Sequence, residues 1–493
     1  MTIQHRPWIQ CSIAALGISM PLATTAQNHE ADAQSSAEHQ LTEEWISDSD
    51  QVPSSGVDSS RLEPNRLSLS ALIEEAEQTY PSLTACQHAI EAAEAQLGTA
   101  TVSPFFQGQG TFSFTMAPGA RGTAVFSDST QEAFGNGWGP VYRVGVEGII
   151  PLFTFGKLRH ARRAARAGIS AAEFGFEQAR SELRYNVRRA YFSLQLALDT
   201  LQMLSEGTRR LRRAAAKLRQ QLEQGSTEVD EIDTYRIEAA TAEIEARTSE
   251  ARRLEESSRS ALTTLTGLDE VTISDCPMAK VDVQLSPLQE YVAGVQRRPE
   301  FGRLRAAQSA LNSQLQIARA QLAPDFVFGY QARAAVGPAR TDQENPFVVD
   351  RANRNDLGVA LVATWSLDLW GNLHRMRRSR AQLAETLAKS EEARRGMELE
   401  ISTAYYAVTD ANRREAAFSE GERQTRRWFV SAGQAYQVGT MSAKDLVDAV
   451  QAYFTNRFSH LLALRDRMVA LADLERATGA ILLPGGGWEL PCD

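Results

Sequence analysis

The sequence contains no long run of apolar residues. Its mean hydropathy over 493 residues is −0.32, and no stretch approaches the roughly 18 consecutive apolar residues that a membrane-spanning helix needs. This shortage predicts that the mature chain has no helical membrane anchor.

The chain also lacks a positive charge balance and the residue patterns of a catalytic or metal site. Its formal net charge is −9, which argues against a nucleic-acid-binding protein, since such proteins usually present a basic face. It has only seven histidines and four cysteines, and none stands at the spacing of a zinc site. Neither a Gly-x-Ser-x-Gly nucleophile motif nor a phosphate-binding loop is present. We therefore expect neither an enzyme nor a bound cofactor or metal.

Two segments precede the repetitive part of the chain. Residues 1–26 combine a weakly basic start, a mostly apolar stretch and a small-residue cleavage site, which predicts a secretory signal peptide. Residues 27–66 are polar and acidic, so we expect this segment to be disordered. Removing the signal peptide would leave Cys86, Cys276 and Cys492. Two interpretations stay open, a Cys276–Cys492 disulfide or three unpaired cysteines.

The rest of the chain repeats one pattern twice. Leu67–Pro81 (LSLSALIEEAEQTYP) corresponds to Leu285–Pro299 (LSPLQEYVAGVQRRP). In both halves an alanine-rich helical pattern, two alternating strands, an aromatic-glycine pair and a long helical pattern follow in the same order. Such a tandem repeat predicts an internal structural duplication. The first repeat, a linker, the second repeat and a C-terminal tail are predicted at 67–275, 276–284, 285–480 and 481–493.

Each half contains two runs in which apolar and polar residues alternate. The four runs lie near 106–116, 143–152, 325–334 and 356–368. A period of two places the apolar residues on one face of each strand. Each run has about 10–12 residues, the length that a tilted strand needs to cross a bilayer, although a soluble β-sandwich shows similar alternation. The strand length and the absence of other strands to pack against favour a transmembrane barrel.

Four strands from one chain cannot close a membrane barrel, because the smallest such barrels have about eight strands. An open strand edge in hydrocarbon would leave backbone groups without hydrogen bonds, and each of these is costly. We therefore expect a barrel that is shared between chains, with four strands from each. Three chains would supply twelve strands, but strand number alone does not dictate three.

Long stretches without proline predict the helices. Between Gly156 and Gly225 there is no proline, and leucines recur at coiled-coil spacings. About 65 residues at about 1.5 Å each give roughly 100 Å of helix. The pattern returns at 374–438, and shorter return helices are predicted at 229–265 and 445–478.

These elements together predict an α+β membrane protein, in which the shared transmembrane β-barrel continues into a long α-helical coiled-coil barrel. Two other classes remain open. One is a soluble periplasmic coiled-coil adaptor or structural protein, and the other is a secreted enzyme or adhesin with a helical stalk. The soluble adaptor would leave the four lipid-compatible strands without a purpose.

The duplicated unit resembles the TolC-type outer-membrane efflux proteins. The resemblance covers most of the chain after residue 66, and rests on the duplication, on Phe155-Gly156 and Trp370-Gly371, and on the glycine turns. Its most specific part is Tyr436–Ala449 (YQVGTMSAKDLVDA). The resemblance implies a homotrimer in the cell outer membrane, with a twelve-stranded barrel in lipid and a helical domain in the periplasm. It also implies a passive exit duct of a tripartite efflux or type I secretion system. This duct would dock to a periplasmic adaptor protein and an inner-membrane pump, with no catalytic activity in the chain itself.

The same resemblance implies roles for residues near the two glycine turns, which in the family lie at the periplasmic tip of the helical tunnel. Asp445 and Asp448 match two aspartates whose rings narrow the tunnel entrance. Glu231 matches an acidic residue that can bond to the tyrosine matched by Tyr436. The positions implied to contact the adaptor are Gly225, Ser226, Thr227, Gly439, Thr440 and Met441.

The best-known relative has an arginine that locks neighbouring tips together, and here that position is Met441. Asp445 and Asp448 also fit a second interpretation, as two solvated acids near a helix N-terminus, where negative charge is favourable in any case.

Overall fold

The computed structural model describes residues 67–102, 104–105, 107–121, 131–132, 137–223, 231–273, 277–340, 353–438, 440–483 and 488. The segments predicted at 1–26 and 27–66 lie outside these residues, and so do Cys276 and Cys492, for which a disulfide was one of two open interpretations. Cys86 is buried and disulfide-bonded. The interpretation of three unpaired cysteines is therefore wrong.

The first half of the chain forms two helices, two long strands with a short pair between them, and two further helices. These elements are α1 (Leu69–Thr79), α2 (Pro81–Val102), β1 (Gln107–Pro118), β2 (Ala120–Arg121), β3 (Gln131–Glu132), β4 (Trp138–Phe153), α3 (Lys157–Glu223) and α4 (Glu231–Thr266). The second half contains α5 (Leu288–Ala293), a 3₁₀ turn (Gly294–Arg297), α6 (Pro299–Ala320), β5 (Asp325–Val336), β6 (Arg354–Thr364), α7 (Leu369–Gln437) and α8 (Ala443–Thr478).

The two halves share one order of elements, as the repeated sequence pattern predicts. Helices α3 and α7 have 67 and 69 residues, and their return helices α4 and α8 have 36 residues each. Within the described residues, no helix combines the length and the apolar character needed to cross a bilayer.

The four long strands form one antiparallel sheet in the order β1-β4-β5-β6. Strands β4 and β5 come from different halves of the chain, so their pairing joins the two repeats. The register between them shifts between Pro151 and Phe153. Strands β2 and β3 form a separate two-stranded ladder.

One face of this sheet is apolar and exposed in the single chain, in agreement with the predicted alternation. It includes Phe112 on β1, Val144 on β4 and Leu357 on β6, and Leu357 is 86% exposed. The other face is polar over most of its length. The sheet therefore has no hydrophobic core of its own on its apolar side.

The two halves enter their long helices differently, although each has an aromatic-glycine pair nearby. Phe155 and Gly156 adopt positive φ angles of 50° and 88° in the turn before α3. Trp370 and Gly371 instead lie in the first turn of α7, where the N-cap carboxylate of Asp368 accepts a hydrogen bond from the Gly371 N–H at 3.0 Å. The predicted strand that reached Asp368 is therefore too long at its C-terminal end, because those residues form the approach to this cap.

The main hydrophobic core lies at the middle of the long helices. Tyr191 and Phe192 of α3 are fully buried there, and the ends of α4 and α8 pack around them together with α1. The linker crosses the same region. Its Met278 N–H donates to Asp199 at 3.0 Å, and its Val281 carbonyl accepts a hydrogen bond from Arg467 at 2.5 Å. The core thus unites both halves of the chain.

A chain of ion pairs crosses this region from the 3₁₀ turn to α8. The Arg298 guanidinium is 3% exposed and contacts Glu400 at 2.6 Å and Glu300 at 3.0 Å. Arg476 contacts Glu400 at 2.8 Å and Asp473 at 2.7 Å. Burial raises the pKa of Glu400, but the hydrogen bonds and charges of the two arginines outweigh it and leave that pKa below its usual value. Glu400 is therefore held ionised between two cations.

Candidate functional site

The turn between α7 and α8 contains the residues implied to contact an adaptor. Thr440 is exposed, and its backbone N–H donates to the Ala435 carbonyl at 3.0 Å. A bond of this span ends a helix in the Schellman motif, where the residue before the donor is usually a left-handed glycine. Gly439 occupies that position but lies outside the described residues, so its positive φ stays a prediction. Met441 is half-buried.

Asp445 stands in the first turn of α8 and takes part in the helix cap. The Ser442 hydroxyl donates to the Asp445 carboxylate at 2.7 Å and accepts from the Asp445 backbone N–H at 3.2 Å. This reciprocal arrangement is close to a capping box, and a carboxylate is favourable at a helix N-terminus. The cap accounts for an acidic residue at this position without any further role.

Asp448, one turn further along α8, lines a cleft of about 700 Å³ between α3, α4 and α8. Lys444 and Arg236 line the same cleft, so this aspartate stands among cations as well as acids. Asp445 does not line it. The apolar part of the wall includes Met203, Leu204, Ile244 and Phe454.

The turn between α3 and α4 falls largely outside the described residues. Gly225, Ser226 and Thr227 are all beyond them. Glu231 is the first residue of α4, but its side chain is not described, while Tyr436 is half-buried in the last turn of α7. The predicted contact between Glu231 and Tyr436 therefore stays a prediction.

A cluster that the sequence reasoning missed lies toward the C-terminal ends of α3 and α7 and in the first half of α8. We call Glu206, Arg210, Phe429, Tyr453 and Arg457 the arginine–aromatic cluster. Phe429 and Tyr453 stack with ring centroids 5.2 Å apart, and the Arg210 guanidinium lies 4.9 Å from the Phe429 ring. The Arg457 guanidinium donates to the Tyr453 hydroxyl at 2.9 Å. Glu206 contacts both arginines, at 2.7 and 3.7 Å.

The arginine–aromatic cluster ties α3 to the hairpin formed by α7 and α8. Cation–π contacts of this kind are attractive by about 0.5–2 kcal/mol, depending on solvation. By sequence alone, Glu206 and Arg210 form an ordinary i, i+4 ion pair on a helix surface. Only the tertiary structure brings the rings of α7 and α8 to the same place.

His460 of α8 forms a polar contact between the two helices of this hairpin. Its Nδ1 lies 2.6 Å from Glu422, and its Nε2 lies 3.7 Å from Glu415. Glu415 also pairs with Lys280 of the linker at 2.9 Å. The hydrogen bond from His460 lowers the pKa of Glu422. No group of three or more potential metal ligands occurs in the part of the chain that the structure describes.

Comparison with known proteins identifies the relatives of this fold. The sequence profile of a family described as outer membrane efflux protein matches residues 72–268 and 293–480. A search of curated proteins finds no match to the chain.

Several solved structures share the fold at low sequence identity. The outer membrane protein VceC of Vibrio cholerae is 19% identical, with a TM-score of 0.67, and the alignment covers 84% of this chain and 96% of that chain. The open state of the MtrE outer membrane channel of Neisseria gonorrhoeae is 20% identical, with a TM-score of 0.69 and coverage of 84% and 89%. The CmeC outer membrane channel of Campylobacter jejuni is 18% identical, with a TM-score of 0.67 and coverage of 83% and 85%.

Proposed function

Because the chain belongs to the outer membrane efflux protein family, we propose that three copies of it assemble one passive exit duct. The chain is an outer-membrane channel component of an efflux system, with its helical part in the periplasm. In the proposed duct, four strands from each copy close a twelve-stranded barrel in lipid. A periplasmic adaptor and an inner-membrane pump would dock to the helical end and supply the energy.

The observation that carries this proposal is the open four-stranded sheet. Its edge strands β1 and β6 have no further partner in the described part of a single chain. β1 runs from the helices toward the loops, and β6 runs back toward the helices. The β6 edge of one copy can therefore pair with the β1 edge of the next in the same antiparallel manner. Closing the ring removes every edge, which a spanning sheet in lipid requires.

The size and the surface of the sheet agree with a bilayer environment. The four strands have 12, 16, 12 and 11 residues, and a tilted strand needs about 9–11 residues to span the hydrocarbon. The exposed face carries large apolar side chains such as Phe112, Leu357 and Leu361. Lipid would cover this face, whereas water would leave a large apolar patch exposed.

The helices give the proposed duct its periplasmic length. Helix α3 has 67 residues, which corresponds to roughly 100 Å at about 1.5 Å per residue. We propose that the tips of the two hairpins, at 225–227 and 439–441, contact the adaptor. Thr440 is exposed at one of them.

We further propose that Asp445 and Asp448 form the narrow entrance of the duct, with Tyr436 and Glu231 linking the hairpins beside it. Three copies would place six of these carboxylates around one opening. Both aspartates are exposed in the single chain, which supports access to a shared lumen. Acidic rings attract cations and repel anions in narrow pores.

The test of the assembly uses protein extracted from membranes in a mild detergent. We expect it to fractionate with the outer membrane, and we expect light scattering corrected for bound detergent to give the mass of three chains. A stable monomer in mild detergent would contradict the trimer. Recovery in the soluble periplasm without detergent would instead support the soluble adaptor that the sequence left open.

The test of the tips uses Thr440→Trp. We expect this variant to lose export while it still forms trimers in the outer membrane, because the indole would fill an exposed contact surface. A matched control is Thr403→Trp, at an exposed position in the middle of α7. Normal export by the Thr440 variant would count against the proposed adaptor contact.

A further inference from the structure

We propose that the polar face of the sheet carries a binding site for small multivalent anions near the loop end of the barrel. The proposal rests on the proposed function, since the polar face lines the lumen only if the barrel closes. The site would select phosphate-, sulfate- or carboxylate-bearing solutes. It would lie at the opposite end of the duct from the two aspartates of α8.

The strand register places the charged residues in adjacent rows of the polar face. Arg143 of β4 aligns with Ala335 of β5, which aligns with Arg354 at the start of β6. In the next row toward the helices, Arg333 of β5 aligns with Asp356 of β6. The row after that contains Glu147 of β4. We call Arg143, Glu147, Arg333, Arg354 and Asp356 the arginine belt.

The charges of the arginine belt do not cancel. Arg333 contacts Glu147 at 2.7 Å, and Arg354 contacts Asp356 at 2.5 Å. Arg143 is exposed and has no acidic partner among the described residues. The belt therefore has one net positive charge per chain, in a protein whose overall formal charge is −9.

The loop after β5 adds a further cation beside the belt. A Cβ placed on Gly139 of β4 would lie 2.0 Å from the Cβ of Ala339, and the neighbouring Val141 is 3% exposed. Residues 337–340, directly after β5, thus lie against the polar face at its outer end. Arg340 follows Ala339 in this loop, and its Nε is buried without a hydrogen-bond partner among the residues that the structure describes.

A glycine keeps the floor of the site open. A Cβ on Gly145 would lie 2.9 Å from the Thr111 hydroxyl and 3.6 Å from Cγ of Arg333. The missing side chain lets Arg333 lie across β4 toward Glu147. It also leaves space on the polar face between Arg143 and Glu147.

Threefold repetition would concentrate these charges. Three copies bring three net positive charges of the belt, and three copies of Arg340, to one ring inside a low-dielectric wall. Such walls focus the field and raise the local concentration of counter-ions. Guanidinium groups bind phosphate and carboxylate oxygens in a planar, bidentate manner. The ring therefore matches a compact anion with several charged oxygens.

The experiment measures current through the protein in planar bilayers, with inositol hexakisphosphate added on the loop side as the probe. We expect the wild-type channel to be blocked by the probe. Arg143→Gln should raise the half-blocking concentration by about tenfold or more, because it removes three focused charges from one ring. Arg143→Lys keeps the charge and should retain most of the block. Arg340→Gln should weaken the block in the same direction as Arg143→Gln.

The outcomes separate this site from the proposed function. Absence of any channel current from the wild-type protein would refute the exit duct itself. Channel current with no block by the probe, or with an equal block in wild type, Arg143→Gln and Arg340→Gln, would overturn the anion site and leave the duct intact. Because Arg340 lies in a loop and not in a strand, its variant still tests the site if Arg143→Gln fails to assemble.

Discussion

The exposed apolar face of the sheet gives a sharp test of the lipid environment. Val359 is the sixth of the 11 residues of β6, is 67% exposed and lies on the apolar face. Its neighbour Ala360 is also exposed, but it lies on the polar face. Arginine at these two adjacent positions changes the same strand by the same side chain, and only the face differs.

The expected costs follow from the two environments. Arginine on the lipid face near the bilayer midplane costs about 2–4 kcal/mol per chain, so Val359→Arg should destabilise a closed trimer by roughly 6–12 kcal/mol in total. Ala360→Arg places the guanidinium in the water-filled lumen, where surface substitutions usually change stability by no more than about 0.5 kcal/mol. The difference in stability between the two variants comes from desolvation of the arginine charge in lipid, and not from a steric clash.

The assay is folding into lipid vesicles, followed by urea titration, with trimer formation read on gels without heating. We expect Val359→Arg to lower the urea midpoint strongly or to abolish insertion, while Ala360→Arg stays close to wild type. Equal effects of the two variants would refute the assignment of lipid and lumen to these faces. A larger effect of Ala360→Arg would mean that the faces are reversed.

Three further predictions concern the helical part. Glu400→Gln should destabilise the protein by about 1–3 kcal/mol at neutral pH, since it removes a hydrogen-bonded charge from two arginines. The lowered pKa of Glu400 means that its contribution is present at neutral pH and is lost as the pH falls below about 4.3. Urea titrations at pH 7 and below pH 4 should therefore show that acid lowers the stability of Glu400→Gln less than that of the wild type. An equal loss of stability in both proteins would contradict this role. Gly371→Ala would place a Cβ 2.1 Å from a carboxylate oxygen of the N-cap residue of α7 and should cost about 1 kcal/mol or more. In the control Gly396→Ala the added Cβ meets no atom within 4 Å, so this variant should stabilise the helix by up to about 1 kcal/mol. Melting temperatures that shift in the same direction for both variants would be incompatible with the cap. Asp445→Ala combined with Asp448→Ala should weaken cation selectivity and multivalent-cation block in planar bilayers, and an unchanged double variant would show that these aspartates do not form the constriction.

The local elements of this protein could be predicted from its sequence because each depends on a short-range period. Alternation of apolar and polar residues places four strands close to their observed positions. The main errors are at 138–142, where β4 begins earlier than predicted, and at 365–368, where β6 has already ended. The proline-free stretches give the long helices, since each turn is stabilised by residues three or four apart. The repeated pattern of the two halves appears again as a repeated order of elements.

Residues of the candidate site were accessible only through the resemblance to a family. Nothing in the spacing of Asp445 and Asp448 distinguishes a channel entrance from an ordinary helix start. The structure places Asp445 in a cap with Ser442, and it places Asp448 in a cleft with Lys444. The proposed role of both aspartates at a shared opening depends on neighbouring copies of the chain.

The sequence by itself determined the type and order of the main elements, the length of the long helices, and which face of each strand is apolar. Only the tertiary structure decided which distant residues meet. The pairing of β4 with β5, the Arg298–Glu400 contact and the stacking of Phe429 on Tyr453 with Arg210 above it are examples. The physical reason is the separation along the chain of the residues that interact. A periodic pattern shows which face of its own helix or strand each residue lies on. Ion pairs and ring contacts between separate elements depend instead on how those elements pack.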